Sequence, residues 1–141
     1  MGVGLDRQGL VHHAAELVPM LRERAAETEV QRSLPQDIVD ALHASELLLA
    51  VAPECFGGMG YDFEVAFDIA AELGRGCGST AWCYGIWTSH TWLAGMFPEQ
   101  AQKAYWADSP KNALVDVVQP RPWDGDGGDG RLPSDRTMGL F

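Results

Sequence analysis

No segment of this 141-residue sequence is long and apolar enough to cross a membrane. A bilayer-spanning helix needs about 20 consecutive apolar residues, and the N-terminus also lacks the basic region and apolar run of a secretory signal. Basic residues are few, since ten Lys and Arg stand against twenty Asp and Glu, and the net charge of −10 repels nucleic acids and anionic lipids. We therefore expect a cytoplasmic protein with neither nucleic acid nor membrane as a partner.

Cysteine is scarce, and no pattern indicates a metal site. The three cysteines form neither an even disulfide set nor a CxxC pair, so we expect reduced, partly buried thiols. They are Cys55, Cys77 and Cys83. His12 and His13 are adjacent, and side chains about 100° apart on a helix cannot chelate one ion from one face. The acidic run at 124–129 lacks the EF-hand order of ligand and glycine, so we interpret it as solvated.

Helical spacing of apolar residues begins near the N-terminus. Apolar residues recur at intervals of three and four from Leu5 to about Ser33, which predicts an amphipathic helix. Ser33 as a possible N-cap and Pro35 in the first turn predict a second helix. The apolar face of this second helix comprises Ile38, Val39, Leu42 and Leu47.

Glycine and proline interrupt the helical spacing between Val51 and Tyr61, where we predict a loop. No later segment alternates like a strand, so the predicted fold class is all-α. The fourth predicted helix is apolar nearly all round, and we expect it to be the most buried element. The helices after the loop are a third at 63–73, a fourth from a cap at Ser79 or Thr80 to about Met96, and a short fifth through Tyr105 and Trp106.

His90 lies midway along the fourth predicted helix, four residues after Ile86 and eight after Trp82. Because residues four apart share a helix face, the three side chains form one stripe. Two interpretations stay open on spacing alone. Either His90 is a buried core residue satisfied by one hydrogen bond, or its imidazole and the Trp82 indole line a cavity for a planar phenol or flavin.

Two segments resemble the N-terminal domain of the acyl-CoA dehydrogenase superfamily. They are PECFGGMGYDF at 53–63 and GRGCGSTAWCYGIWTSHTWLAGMFPEQAQKAYW at 74–106. With the first two helices, the resemblance covers nearly all of residues 5–115, and it implies an orthogonal bundle of about five helices. In that family a β-barrel domain and a C-terminal four-helix bundle follow. We expect residues 1–4 and 116–141 to be disordered, the latter because they contain too little apolar surface to bury.

The STAW start of the fourth helix, with a histidine eight residues after the tryptophan, is most similar to the reduced-flavin-dependent aromatic hydroxylases of this superfamily. The resemblance implies that His90 is catalytic and contacts the phenolic oxygen of an aromatic substrate, where it favours the reactive phenolate. It implies a pocket for substrate and flavin that includes Trp82, Ile86, Gly57 and Gly58.

The same resemblance implies a two-component system. A separate flavin reductase supplies reduced FMN or FAD, and one oxygen atom of O2 is transferred to the aromatic ring. The full-length parent would be a homotetramer. Most of the flavin site would come from other domains and a neighbouring subunit, so we expect this chain alone to bind no flavin tightly and to be inactive.

Two other functions remain open at this point. An acyl-CoA dehydrogenase would oxidise an acyl thioester with tightly bound FAD, but the combination of His90 with Trp82 and Trp92 favours the hydroxylases. A stand-alone helical interaction domain would instead use its apolar surface to bind a partner.

The sequence departs from the family pattern after Val115, and we interpret the tail as the same gene in a shifted reading frame. Back-translation from Val115 with GC-rich codons, read one nucleotide later, can produce STSSSPARGTATAVTGGYRVTGRWGF, which resembles the missing family sequence. Trp123 and Met138 have one codon each, and the shifted frame converts them to glycine and tryptophan, where the family has these residues.

Sequencing the coding DNA tests this interpretation. The shifted reading frame begins at the second nucleotide of the Val115 codon. We expect this frame to contain no stop codon through the tail and to encode a glycine- and serine-rich segment like the one above. An early stop codon in that frame, or unrelated residues, would contradict a frameshift.

Overall fold

The computed structural model describes residues 5–107, and within this range it contains five α-helices and no strand. The all-α prediction is confirmed for this part of the chain. The predictions for residues 1–4, for the acidic run at 124–129 and for the rest of the tail lie outside the described residues. The helices are α1 (Arg7–Gln31), α2 (Gln36–Ala44), α3 (Glu64–Gly74), α4 (Gly78–Ala94) and α5 (Glu99–Tyr105), with short 3-10 turns at Leu47–Leu49 and Glu54–Phe56.

The long first helix has the predicted amphipathic pattern and a side-chain cap that the spacing did not reveal. The Asp6 carboxylate accepts a hydrogen bond of 2.7 Å from the Gly9 amide, which satisfies one of the free donors at the start of α1. At the other end, Arg32 adopts a left-handed conformation (φ 53°) that terminates the helix. The buried face of α1 includes Leu10, Ala14, Val18 and Leu21, and α1 packs against α3 and α4.

The predicted serine caps are wrong. Helix α2 begins with Pro35 in the N-cap position and has no side-chain cap, so Ser33 lies upstream of it. Helix α4 begins with Cys77 in the N-cap position, and the Ser79 hydroxyl instead donates to the Glu29 carboxylate of α1. Ser79 lies within the first turn of α4, past the N-cap position, and its hydroxyl joins α4 to α1 by donating to a charged acceptor.

The expectation that α4 is the most buried element is also wrong, because only one of its faces is covered. Trp82 on the opposite face is 71% exposed. The covered face contains three threonines, and Thr88 and Thr91 donate to the carbonyls four residues earlier at 2.8 and 3.0 Å. These local bonds let hydroxyls enter the core beside the buried rings of Tyr84 and Trp87, while the Trp82 ring stays outside. The buried residues of α4 are Thr80, Tyr84, Trp87, Thr88, Thr91 and Ala94.

The loop at 51–61 folds back onto the segment that follows α2. The amides of Met59, Gly60 and Tyr61 donate to carbonyls of residues 49, 52 and 50 at 2.9 to 3.0 Å. The Phe56 ring stacks on Trp106 after α5, with centroids 4.8 Å apart. The loop therefore contacts both the segment that follows α2 and the end of α5.

The Tyr84 hydroxyl joins α4 to the 3-10 turn before this loop. Tyr84 is fully buried and donates to the Leu47 carbonyl at 3.2 Å. Burial raises the pKa of the Tyr84 phenol well above its usual value. A pKa that is higher in the folded state adds stability below the unfolded-state pKa of about 10, and this stability is lost as the pH rises further.

We expect Tyr84→Phe to lower the free energy of unfolding by about 1 kcal/mol at neutral pH, because the Leu47 carbonyl keeps only the Ala50 amide as a donor. The variant should also lose less stability than wild type above pH 10. Denaturant unfolding at pH 7 and pH 10.5 measures both effects. The matched control is Tyr61→Phe, which removes a hydroxyl bonded to the Leu5 carbonyl in a half-buried position where water can replace it. Identical pH dependence in wild type and Tyr84→Phe would contradict the role given to burial.

Candidate functional site

A groove of 580 Å³ lies between α3 and α4, and its lining is almost entirely apolar. The walls come from Phe63 and Phe67 of the α3 side and from Trp82 and Ile86 of α4. A side chain added at Gly85 in its floor would meet no atom within 4 Å. Its size falls within the range of about 300 to 1,000 Å³ that is typical of small-molecule pockets. The groove suits a flat, apolar ring.

Aromatic rings form both rims of this groove. Phe67 and Trp82 are 65% and 71% exposed, one on each helix. Phe63 lies between Phe67 and Trp92, with ring centroids 5.2 and 5.3 Å away, which are favourable distances for aromatic pairs. Sequence reasoning missed Phe63 and Phe67, although their spacing of four residues indicated that they share a helix face.

His90 lies on the surface, so the interpretation of a buried core histidine is wrong for the described chain. Its Nδ1 is 2.8 Å from the Ile86 carbonyl oxygen. Because a carbonyl only accepts, this hydrogen bond requires the tautomer with hydrogen on Nδ1, in which Nε2 is an acceptor. The contact therefore distinguishes the two nitrogens in that tautomer.

Trp82 and Ile86 share the groove, whereas His90 is outside its lining. Each helical residue advances by about 100° and 1.5 Å, so His90 is about 80° further round α4 than Trp82 and about 12 Å along it. The three predicted residues thus lie on the open side of one helix, with Ile86 between the other two.

Gly57 and Gly58 lie apart from the groove and have structural roles in the loop. Gly57 adopts a left-handed conformation (φ 87°), and its amide donates to Glu54 at 3.0 Å. The Gly58 amide donates to Pro53 at 3.1 Å, and a Cβ at Gly58 would lie 2.1 Å from the Ala52 carbonyl oxygen. Glycine is required at position 58 because no space exists for a side chain, and it is favoured at position 57 because the backbone is left-handed there. Their predicted place in a flavin pocket stays a prediction.

The described residues fit the ring of a flavin better than its phosphate. Anions bind where free amides or unpaired cations converge, and the loop amides at 57–61 donate to carbonyls within the chain. Arg7, Arg24, Arg75 and Lys103 each pair with a carboxylate. The groove thus offers an apolar wall for a ring, whereas these loop amides and cations already have partners within the chain and do not offer a phosphate site.

The cysteines and the remaining acidic groups add no further reactive centre in this region. Cys83 is half-buried, and burial raises the pKa of its thiol, which keeps it protonated. Among residues 5–107, no group of three His, Cys, Asp or Glu side chains could hold a metal ion. No described helix is both long and apolar enough to span a bilayer.

Comparisons with known proteins place this geometry in a family. Residues 11–109 match the family described as acyl-CoA dehydrogenase, N-terminal domain. The chain is 34% identical over 111 residues to the oxygenase component of the FADH(2)-dependent resorcinol hydroxylase of Rhizobium sp. (strain MTP-10005), covering 79% of this chain and 27% of that protein. It is 30% identical over 115 residues to HsaA, an oxygenase subunit of a flavin-dependent monooxygenase from Mycobacterium tuberculosis (strain ATCC 25618 / H37Rv), covering 82% and 29%.

A solved structure agrees with these relatives. The crystal structure of the HsaA monooxygenase from M. tuberculosis matches with a TM-score of 0.72 and 32% identity, over 76% of this chain and 28% of that one. The chain belongs to the acyl-CoA dehydrogenase family and contains its N-terminal domain. The relatives above are oxygenase components of flavin-dependent enzymes, and this chain spans less than a third of their length.

Gly58→Ala tests the structural role of the loop glycine. We expect a loss of about 3 kcal/mol in the free energy of unfolding, because the new methyl group overlaps the Ala52 carbonyl and the loop must shift. The control is Gly74→Ala, where the added Cβ would meet Ala81 at an ordinary 3.6 Å. Thermal unfolding of both variants gives the comparison. Equal melting temperatures would contradict the close approach at Gly58.

Proposed function

We propose that this chain is the N-terminal part of an oxygenase that hydroxylates a phenolic substrate with reduced flavin and O2. The observation that carries the proposal is the free Nε2 of His90 on the same open side of α4 as Trp82 and Ile86. One polar atom beside an apolar aromatic surface is the combination that orients a phenol. The flavin-dependent oxygenases among the relatives support the assignment. The proposed domain covers residues 5–115.

The role proposed for His90 follows from its hydrogen bond to Ile86. With hydrogen on Nδ1, the neutral imidazole presents an acceptor at Nε2, which can take the proton of a phenolic hydroxyl. The resulting imidazolium then stabilises the phenolate oxygen by charge. A phenolate donates more electron density to its ring than a phenol does, so the ring carbon becomes a better nucleophile.

The apolar surface has a separate role. Ile86 would exclude water from the substrate ring, and Trp82, about 12 Å along α4 from His90, would do so for a second ring such as that of the flavin. Reduced FMN or FAD, supplied by a flavin reductase, would provide the oxygen-transfer chemistry when bound. The residues of this chain would bind the substrate, orient it and accept its proton.

Product analysis tests the activity. The complete protein that contains this chain would be mixed with a flavin reductase, NADH, FMN or FAD, and resorcinol under 18O2. We expect a hydroxylated product with one 18O atom and no product when the reductase is omitted. Bleaching of bound FAD by an acyl-CoA, without a hydroxylated phenol, would contradict the proposal and identify a dehydrogenase.

His90→Ala tests the proton acceptor in that assay. We expect kcat/KM to fall about 100-fold, within the usual range for loss of a general base. The control is His12→Ala, because His12 is an exposed histidine of α1 that lies 3.6 Å from Glu16. Circular dichroism would show that both variants are folded. A His90→Ala enzyme as active as the His12→Ala control would refute the role of His90.

A further inference from the structure

Two side chains and the helix backbone approach one oxygen atom, the carbonyl of Ile86. The Ser89 hydroxyl donates to it at 2.8 Å, and His90 Nδ1 lies at the same distance of 2.8 Å. As in any α-helix, this carbonyl also faces the amide of the residue four positions later. A carbonyl oxygen has two lone pairs, so three donors cannot all form full hydrogen bonds with it.

The competition is between the two side chains, because the helix fixes the amide. When the imidazole donates to the Ile86 carbonyl, the hydrogen is on Nδ1 and Nε2 is available as an acceptor. When the Ser89 hydroxyl donates to this carbonyl instead, the His90 ring loses the hydrogen bond that orients it. His90 is exposed, so water can then solvate either nitrogen.

Helix stability gives no reason for a hydroxyl at this position. Thr88 and Thr91 also donate to backbone carbonyls, but they are fully buried and need an internal acceptor. Ser89 is only half-buried, so water could satisfy it, and alanine is a better helix former than serine.

We propose that Ser89 is a positioning residue for His90, setting the fraction of imidazole rings held with hydrogen on Nδ1 and Nε2 free. It acts through the shared Ile86 carbonyl and does not touch the substrate. The functional importance of this fraction rests on the proposed function of His90. The fraction itself is a property of this chain and can be measured without substrate.

The experiment is ring 15N NMR of the 141-residue chain, with the His90 signals assigned from their loss in His90→Gln. We expect Ser89→Ala to raise the ratio of the Nδ1–H to the Nε2–H form about threefold, as removal of one competing hydrogen bond predicts. Ser89→Thr keeps a hydroxyl and should retain the wild-type ratio. Ser79→Ala is the matched control, because its hydroxyl bonds Glu29 rather than Ile86.

An unchanged ratio in Ser89→Ala, or an equal change in Ser79→Ala, would overturn the proposal. A titration of the complete protein that contains this chain with 4-nitrophenol, in wild type, Ser89→Ala and His90→Ala, separates this result from the proposed function. If the ratio shifts as expected but His90→Ala binds 4-nitrophenol as tightly as wild type, the positioning role is supported and the phenol-binding role of His90 is contradicted. If Ser89→Ala strengthens 4-nitrophenol binding, by less than threefold, and His90→Ala weakens it, both are supported.

Discussion

The rotation of α4 about its own axis determines which of its residues can meet a ligand, and buried contacts fix that rotation. Tyr84 donates to the Leu47 carbonyl outside the helix, and Thr88 and Thr91 are fully buried on the same side of α4. With these residues facing inward, the 3.6-residue period directs Trp82, Ile86 and His90 outward. The candidate site is therefore a consequence of how the opposite side of α4 packs.

Much of the fold could be predicted from local spacing, because apolar residues recur at helical intervals in α1 to α4, and proline or glycine lies near the ends of α1, α3 and α4. The helix caps could not be predicted in this way, because the Ser79 hydroxyl donates to Glu29 on a helix that is distant in sequence. The burial of α4 could not be predicted either. Thr88 and Thr91 satisfy their hydroxyls with local carbonyls and enter the core, whereas the Trp82 ring stays outside. The polarity of the residues along α4 therefore does not predict which of them are buried.

The candidate site was predictable along α4 but not across to α3. The interval of four residues identified Trp82, Ile86 and His90 as one side of a helix, but not that Trp82 and His90 are exposed and Ile86 is half-buried. Phe67 and the groove depend on the packing of two helices, which spacing within either helix does not contain. For Gly58, the close approach to the Ala52 carbonyl arises only once the loop has folded back, so the glycine-rich sequence alone did not reveal this packing requirement.

Helix geometry also restricts how a phenol could lie on this surface. Trp82 and His90 are eight residues apart, or about 12 Å along α4, whereas Ile86 is about 6 Å from each along the axis. A single aromatic ring with its hydroxyl at Nε2 of His90 would therefore lie over Ile86 and leave the indole to a second ring, to the flavin or to a longer substrate. In the proposed site, the polar contact and the aromatic contact would thus belong to different parts of the bound molecules. Ile86 would support the ring, and its carbonyl already contacts His90 Nδ1, so both parts of the proposed site depend on this residue.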